Sequence, residues 1–525
     1  MIDTKALREK IIDLAMRGKL VPQDPNDEPA SELLKRIKAE KEELIKQKKI
    51  KRDKNETEIF RGDDGLYYEK FADGTRRGVQ LPFGFPDWWD VQRFNSLISL
   101  VRGSSPRPIK NFVTTDEVGV NWIKIGDTEK DGKYIESTAE KITVEGSKKS
   151  RAVFEGEFLL SNSMSFGRPY ILKIDGFIHD GWFALRHFNI AYDSDFLYLL
   201  ISSKLVNSQF LINATGSTVK NISSDIVNAT FMPLPPIEEQ KRIVKVANEL
   251  LQLVDGIEEE QQQLQELSAE LKKKVLDVAM QGKLVPQDPN DEPASVLLGK
   301  ISNEKQKLYE EGKLKKKDLE ETTIIKGDDN AYYEKFVDGT VKEIKVPYQV
   351  PENWQWTRID QLAQAKGGKR VPKGMSLQET KTQYPYLRVT DMKNETILTK
   401  KLQYASEEVR DKIKNYMISS DDVYITIAGT IGDAGIVPIE LDGALLTENA
   451  LKLVLFSEVN QNFLVKIINS NVVQNQFTAL FKQVAQPKLS IKSTNSTLVP
   501  LPPLKEQERI VRCFNEVSQT LAELD

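Results

Sequence analysis

The chain has 525 residues, with 74 Lys and Arg set against 78 Asp and Glu for a net charge of −4. That balance argues against a generic polyanion binder and leaves local basic clefts as the route to any nucleic-acid surface. Its length holds roughly three to five units with real cores. One cysteine, Cys513, forbids an internal disulfide and suits a reducing compartment. The only histidines are His179 and His187, which leaves no zinc constellation. No apolar run is long enough for a bilayer, and the start MIDTKALREK is charged rather than signal-like, so the cytoplasm is expected.

Residues 1–60 read as a helical connector. Leu7, Ile11 and Leu14 carry a helical seam that ends at GKLVPQDPNDEPAS, Gly18 to Ser31, and a second helix is expected over Ala30–Lys54. Residues 61–235 read as a mixed α/β domain. It opens with a hairpin at GDDGLYYEKFADGT (Gly62–Thr75), then a tryptophan-bearing entry strand, LPFGFPDWWDVQRF (Leu81–Phe94). Strands, turns and the helical FLYLLISSKLVNSQFL segment complete it. Residues 236–325 form a central connector. Pro235-Pro236 with Glu238 and Glu239 starts a helix, and Gly282 with Pro286 ends it. Between them Ile243, Ala247, Leu250, Val254, Ile257, Gln261, Leu264, Ser268, Leu271, Val275 and Val278 alternate spacings of four and three, a coiled-coil seam. Such a helix extends over roughly 67 Å.

The second half of the chain repeats the first. Gly282 to Ser295 matches Gly18 to Ser31 at all fourteen residues, an offset of 264. Residues 326–502 form the second domain, with GDDNAYYEKFVDGT (Gly327–Thr340) and VPYQVPENWQWTRI (Val346–Ile359) in the places of the first-half segments. Residues 503–525 are a terminal helix, where Ile510, Phe514, Val517, Leu521 and Leu524 repeat the first half of the central seam. The C-terminus joined to the N-terminus therefore rebuilds the central connector. The expected fold is α+β: two mixed α/β domains separated by long antiparallel coiled-coil helices in a circular, pseudo-two-fold arrangement. The domain interiors, about 94–230 and 359–496, have diverged while the connectors have not, which suits a modular reader of two different signals.

Three sets of residues carry a resemblance. LPPxxEQxRIV occurs at Leu234–Val244 and Leu501–Val511, KLVPQDPxDEPAS occurs twice, and GDT/TD loops stand at Gly126-Asp127 and Thr390-Asp391. Over essentially its whole length the chain resembles the specificity subunit of Type I restriction-modification enzymes. The resemblance implies two target-recognition domains, each reading one part of a bipartite, asymmetric sequence in double-stranded DNA. It implies paired helices that set the gap, and two methyltransferase subunits, optionally joined by two motor-nuclease subunits. S-adenosylmethionine would come with the former, ATP and Mg with the latter, and no cofactor with this chain. No membrane is implied.

Catalytic machinery is not legible. There is no GxxxxGK[ST] loop and no Asn-Pro-Pro-aromatic tetrapeptide, and Gly429–Gly435 lies between strand-like runs rather than opening a helix. The chain alone is therefore read as non-catalytic. Phosphate contacts position a reader and groove contacts specify bases, so the candidates are polar loops between strands. In the first domain they are Ser104, Arg107, Asp127, Thr128, Ser163, Ser165, Arg168, Lys220 and Asn221. In the second they are Lys369, Arg370, Thr390, Asp391, Thr430, Gln486 and Lys488. Partner docking is expected on the connector helices at Leu7, Ile243, Leu250, Val254, Leu271, Val275, Phe514 and Leu521. The alternative is a coiled-coil scaffold carrying two protein- or carbohydrate-binding domains, which predicts no salt-dependent DNA retention.

Overall fold

Asp3 opens the first helix, accepting the Ala6 N–H, and α1 runs Thr4–Met16. It stops at Gly18 (φ 62°), where a β-carbon would sit 2.4 Å from the Pro86 ring, so the turn requires glycine twice over. The turn leads into α2 (Ala30–Lys46). These belong to a computed structural model that describes residues 1–53, 56–129, 132–162, 167–213, 222–481 and 488–524. Two compact units divide the chain, Met1–Glu260 and Gln261–Asp525. The expected central helix is α3, 44 residues from Ile237 to Met280, and the boundary falls within it. After it come α4 (Ala294–Glu310) and, at the C-terminal end, α5 (Leu504–Leu524). α2 and α4 are shorter than their lysine-rich sequences suggest. The chain reverses at Lys48 (φ 58°) and Gly312 (φ 73°), left-handed positions that end a helix even where good helix formers come next.

In the first unit α1 lies antiparallel to the first half of α3. Arg8 pairs with Asp255 and Glu258, and Ala15 and Met16 share a core with Ile243, Val244 and Ala247. In the second, α5 places Ile510 and Phe514 in one core with Leu276, Ala279 and Met280. The seam departs from its sequence spacing in the second half of α3. Ser268 keeps to the seam, but Leu271 is 47% exposed and the buried face then passes through Leu276, Ala279 and Met280. Ile243, Val254, Phe514 and Leu521 are buried within the chain, so these side chains are not free to meet a partner; Leu7, Leu250 and Val275 are half-buried.

The duplicated motifs are interlocking polar contacts. The indole N–H groups of Trp88 and Trp89 both donate to the Glu239 carboxylate at 3.0 Å. Arg242 grips Asp27 of the PQDPNDEP turn through two hydrogen bonds of 2.9 and 2.6 Å. Gln240 donates to the Ala191 and Pro235 carbonyls and accepts the Asp193 N–H. In the second unit Gln287 donates to Glu506 at 2.6 Å, Arg509 pairs with Asp291, and Gln507 donates to the Pro502 carbonyl. Burial pushes both glutamates above the usual carboxylate range. Glu, Gln and Arg of EQxR thus each have a separate partner.

The expected hairpins are three-stranded antiparallel sheets: Glu58–Arg61, Tyr67–Lys70 and Arg76–Val79, then Thr323–Lys326, Tyr332–Lys335 and Val341–Ile344. Each is tied down by one arginine. Arg93 donates to Glu69 through Nε and Nη2 at 2.9 and 2.8 Å and to the Ala229 carbonyl through Nη1. Arg358 does the same to Glu334 and the Ser496 carbonyl. Both carboxyls are held below their usual range by these arginines.

The first domain stacks two five-stranded sheets, and its central strand Phe158–Ser161 is buried on both faces. Leu159 faces Ile123, Ile178 and Trp182 between the sheets; Phe158 and Leu160 face the helical side with Phe196 and Leu200. The second domain stacks two four-stranded sheets around Leu387, Tyr424 and Leu446. Replacing Arg93 by Ala leaves Glu69 buried without its cation, and we expect a loss of about 3 kcal/mol. The readout is the denaturation midpoint of the full chain, which should move without a change of slope.

Candidate nucleic-acid interface

In each domain one turn joins a strand of one sheet to a strand of the other, and neighbouring loops are fastened around it. In the first it is His179–Gly181, between strands Gly176–Ile178 and Trp182–Arg186; in the second it is Thr447–Asn449, between Ala444–Leu446 and Ala450–Leu455. The fastening is main chain. Gly103 N–H donates to the Trp182 carbonyl, and Ser104 N–H to Ile178. Asn162 N–H donates to Gly181, and Ile222 N–H to Asn162, at 3.0 Å each. In the second domain Gly368 N–H donates to Ala450, Lys369 to Leu446, Ile427 to Asn449 and Leu489 to Ile427. The pairs correspond position for position, although the two domains' sequences have diverged.

Close approach explains the glycine at the mouth of each cluster. A β-carbon on Gly103 would lie 2.1 Å from the His179 carbonyl oxygen, and one on Gly368 would lie 2.0 Å from that of Thr447. Neither oxygen can move without breaking the turn. The third loop also folds alike: Gly167 N–H donates to Ser161 and Gly432 N–H to Thr426, with both glycines at positive φ.

The loops chosen from sequence thus converge, but their side chains divide into two groups. Arg107, Lys369, Arg370, Thr390, Thr430 and Lys488 are exposed. Arg370 donates Nε to Glu448 at 2.5 Å, and the Lys369 ammonium lies 5.5 Å from the centre of the Tyr416 ring. Arg168 is half-buried, and its N–H donates to Ser161 Oγ. Ser104 donates to the Lys149 carbonyl, and Thr128 to that of Ile125.

Asp127 and Asp391 turn inward, a correction to their reading as free contact residues. Asp127 accepts the Lys124 and Ala139 N–H groups at 2.7 and 3.0 Å. Asp391, 4% exposed, accepts the Arg388 N–H and two of its guanidinium nitrogens. These carboxylates are spent on holding their loops. Ser163, Ser165, Lys220, Asn221 and Gln486 lie outside the described residues.

Two residues that sequence reasoning passed over occupy the centre. Asp180 accepts from the Ser105 hydroxyl and from Arg107, and Glu448 accepts from Arg370 and from Thr447. The Ser105 hydrogen bond holds the Asp180 carboxyl below its usual range; for Glu448, burial works upward, and its hydrogen bonds and the Arg370 charge together carry it below. The available signal was positional: HDG and TEN occupy the same place in the two halves. Among the described residues no group of His, Cys, Asp and Glu is arranged to hold a metal ion, and no helix is long and apolar enough to cross a membrane.

Each domain thus carries polar and cationic side chains on a rigid main-chain frame, Arg107 exposed in the first and Lys369, Arg370 and Lys488 in the second. One family model, described as Type I restriction modification DNA specificity domain, matches residues 86–268 and again 351–524. The chain is 28% identical to the EcoAI Type I restriction enzyme specificity subunit of Escherichia coli, over 99% of this chain and 90% of that one. It is 27% identical to the EcoEI specificity subunit of the same organism, over 98% and 88%. A solved structure described as the structural basis underlying complex assembly and conformational transition of the type I R-M system shares the fold. Its TM-score is 0.52 at 15% identity, covering 84% of this chain and 93% of that one. The chain belongs to the family of Type I restriction-modification specificity subunits. It is accordingly a non-catalytic DNA-recognition subunit.

Two predictions test the loop clusters. Gly103→Ala and Gly368→Ala should each cost about 1–3 kcal/mol by overpacking and speed amide exchange at Asn162 or Ile427 in the affected domain only. The second concerns His179, whose Nδ1 accepts the Gly181 N–H at 2.8 Å and which burial holds below the usual imidazole range. A folded value below the unfolded one means the contribution is complete above roughly pH 6.5 and is lost as pH falls toward the folded value. The protection factor at Gly181, which is its exchange rate corrected for the intrinsic base-catalysed rate, should fall on acidification through that window. Asn449, whose cluster has Thr447 in the histidine's place, should not respond.

Proposed function

We propose that each loop cluster reads one half of a bipartite, asymmetric DNA target, and that the connector helices fix the unread gap between the halves. The observation that carries this reading is the pair of matching main-chain frames furnished with different side chains. Equal frames suit two copies of one task, docking against a duplex, while unlike furnishings suit two different sequences. The termini are proposed to complete a second connector, giving the molecule a pseudo-two-fold axis with antiparallel helices. Support comes from within each unit, where α1 lies along the first half of α3 and α5 along the second. Domain limits at 61–235 and 326–502 belong to the same reading.

Two methyltransferase subunits are the proposed partners, with two motor-nuclease subunits joining in systems that also cleave. S-adenosylmethionine, ATP and Mg then enter with those partners, and the cytoplasm is the setting. The PQDPNDEP turns support a twofold partner. Pro22, Gln23, Pro25, Asn26 and Glu28 are placed at or near the surface, as are the identical Pro286, Gln287, Pro289, Asn290 and Glu292. Gln287 is held by Glu506, but interior packing does not require identity at the exposed prolines and asparagines, whereas binding the same subunit twice does.

Inserting or deleting one heptad in the exposed middle of α3 changes its length by about 10 Å. Assembled with the methyltransferase, such variants should methylate targets of altered gap or none, as read by methylome sequencing. Normal methylation of an unchanged target would refute the spacer. For the wild type, binding should weaken linearly with log salt, with a slope reporting the phosphates contacted.

A further inference from the structure

We propose that Arg107 and Arg370 are the guanine-reading side chains of the two domains, and that Asp180 and Glu448 are positioning residues that aim them. The inference deepens the DNA-reading function above and rests on it. Asp180 and Glu448 are the middle residues of the two equivalent turns, one residue after the carbonyl that abuts Gly103 or Gly368. Each takes a guanidinium from the loop that glycine begins. The arginines are not at equivalent sequence positions: Arg107 is four residues beyond its glycine, Arg370 only two. The same pairing is thus reached from different backbone sites.

Exposure separates the roles. The arginine side chains are 78% and 79% exposed, while Asp180 is 44% and Glu448 25% exposed. The acids are seated in the cluster and the cations project from it. Arg370 commits Nε to Glu448 and keeps both terminal nitrogens for another acceptor. Arg107 commits only Nη2 to Asp180, at 3.1 Å. A guanidinium with two donors left is equipped for the O6 and N7 acceptors of guanine in the major groove. Holding it beforehand reduces the ordering cost of binding. An unpaired carboxylate on a surface that meets phosphates would repel them; paired, it orients its cation without net charge. A mere phosphate grip needs none of this, and Lys369 beside Arg370 already offers such a charge.

The test uses the full chain assembled with its methyltransferase subunit, with methylome sequencing for motif and duplex binding over a salt series. Arg370→Lys keeps the charge but not the fork. We expect roughly 10–100-fold lower discrimination for guanine at one base pair of one half-target, with the salt slope and the other half-target unchanged. Arg107→Lys should do the same in the opposite half. Glu448→Gln should lower discrimination at the Arg370 base pair by a smaller factor, with the melting temperature unchanged. An unaltered motif with Arg370→Lys would overturn the proposal, as would a Glu448→Gln effect confined to stability. Absence of salt-dependent, sequence-selective binding by the wild type would instead refute the DNA-reading function itself.

Discussion

The loop clusters depend on a contact with no room in it. A carbonyl oxygen of the central turn lies where a β-carbon on Gly103 or Gly368 would have to go, and the neighbouring N–H groups reach past it to the strands beyond. Because the cluster is fastened by backbone donors and acceptors, its geometry is almost indifferent to the side chains it displays. Ser105 can stand where the other domain has Arg370, and His179 where it has Thr447, without a change in how the loops meet. Only the glycines and the order of strands are fixed, so the displayed residues are free to vary.

The connectors obey the opposite logic. Glu239 is buried at the start of α3, with two indoles on its carboxylate and Arg242 engaged with Asp27 in the turn before α2. Burying a carboxylate carries a desolvation cost that the contacts around it must offset, so a change to any one partner strands the others. EQxR and the aspartate of PQDPNDEP therefore persist together in both units. Arg93 and Arg358 act similarly for the small sheets, each joining a glutamate on the sheet to a carbonyl at the far end of its domain.

Much of this was legible in the residues. The four-three spacing from Ile243 and the stop at Gly282 marked α3 nearly to its ends. Leu271 misled because heptad spacing presumes one continuous partner face, whereas the buried face of α3 shifts to Leu276, Ala279 and Met280 in its second half. Asp127 and Asp391 misled for another reason: a loop aspartate facing a ligand and one closing its own turn have the same sequence signature. Polar residues flanked by strand-like runs identified the converging loops. Asp180 and Glu448 escaped because an acid in a loop normally reads as solvated, and only the arrival of an arginine from elsewhere gives it a role.

The placement of the tryptophans has a practical consequence. Of six in the chain, Trp354 and Trp356 are the only ones in the second unit, and both lie in the core beneath the start of α5. The first unit adds Trp122 and Trp182, packed around His179 near its loop cluster. Intrinsic fluorescence from the second unit therefore reports the core in which α5 is anchored. Emission from the first also carries the state of the His179 turn, so the molecule holds an unequal pair of natural optical probes.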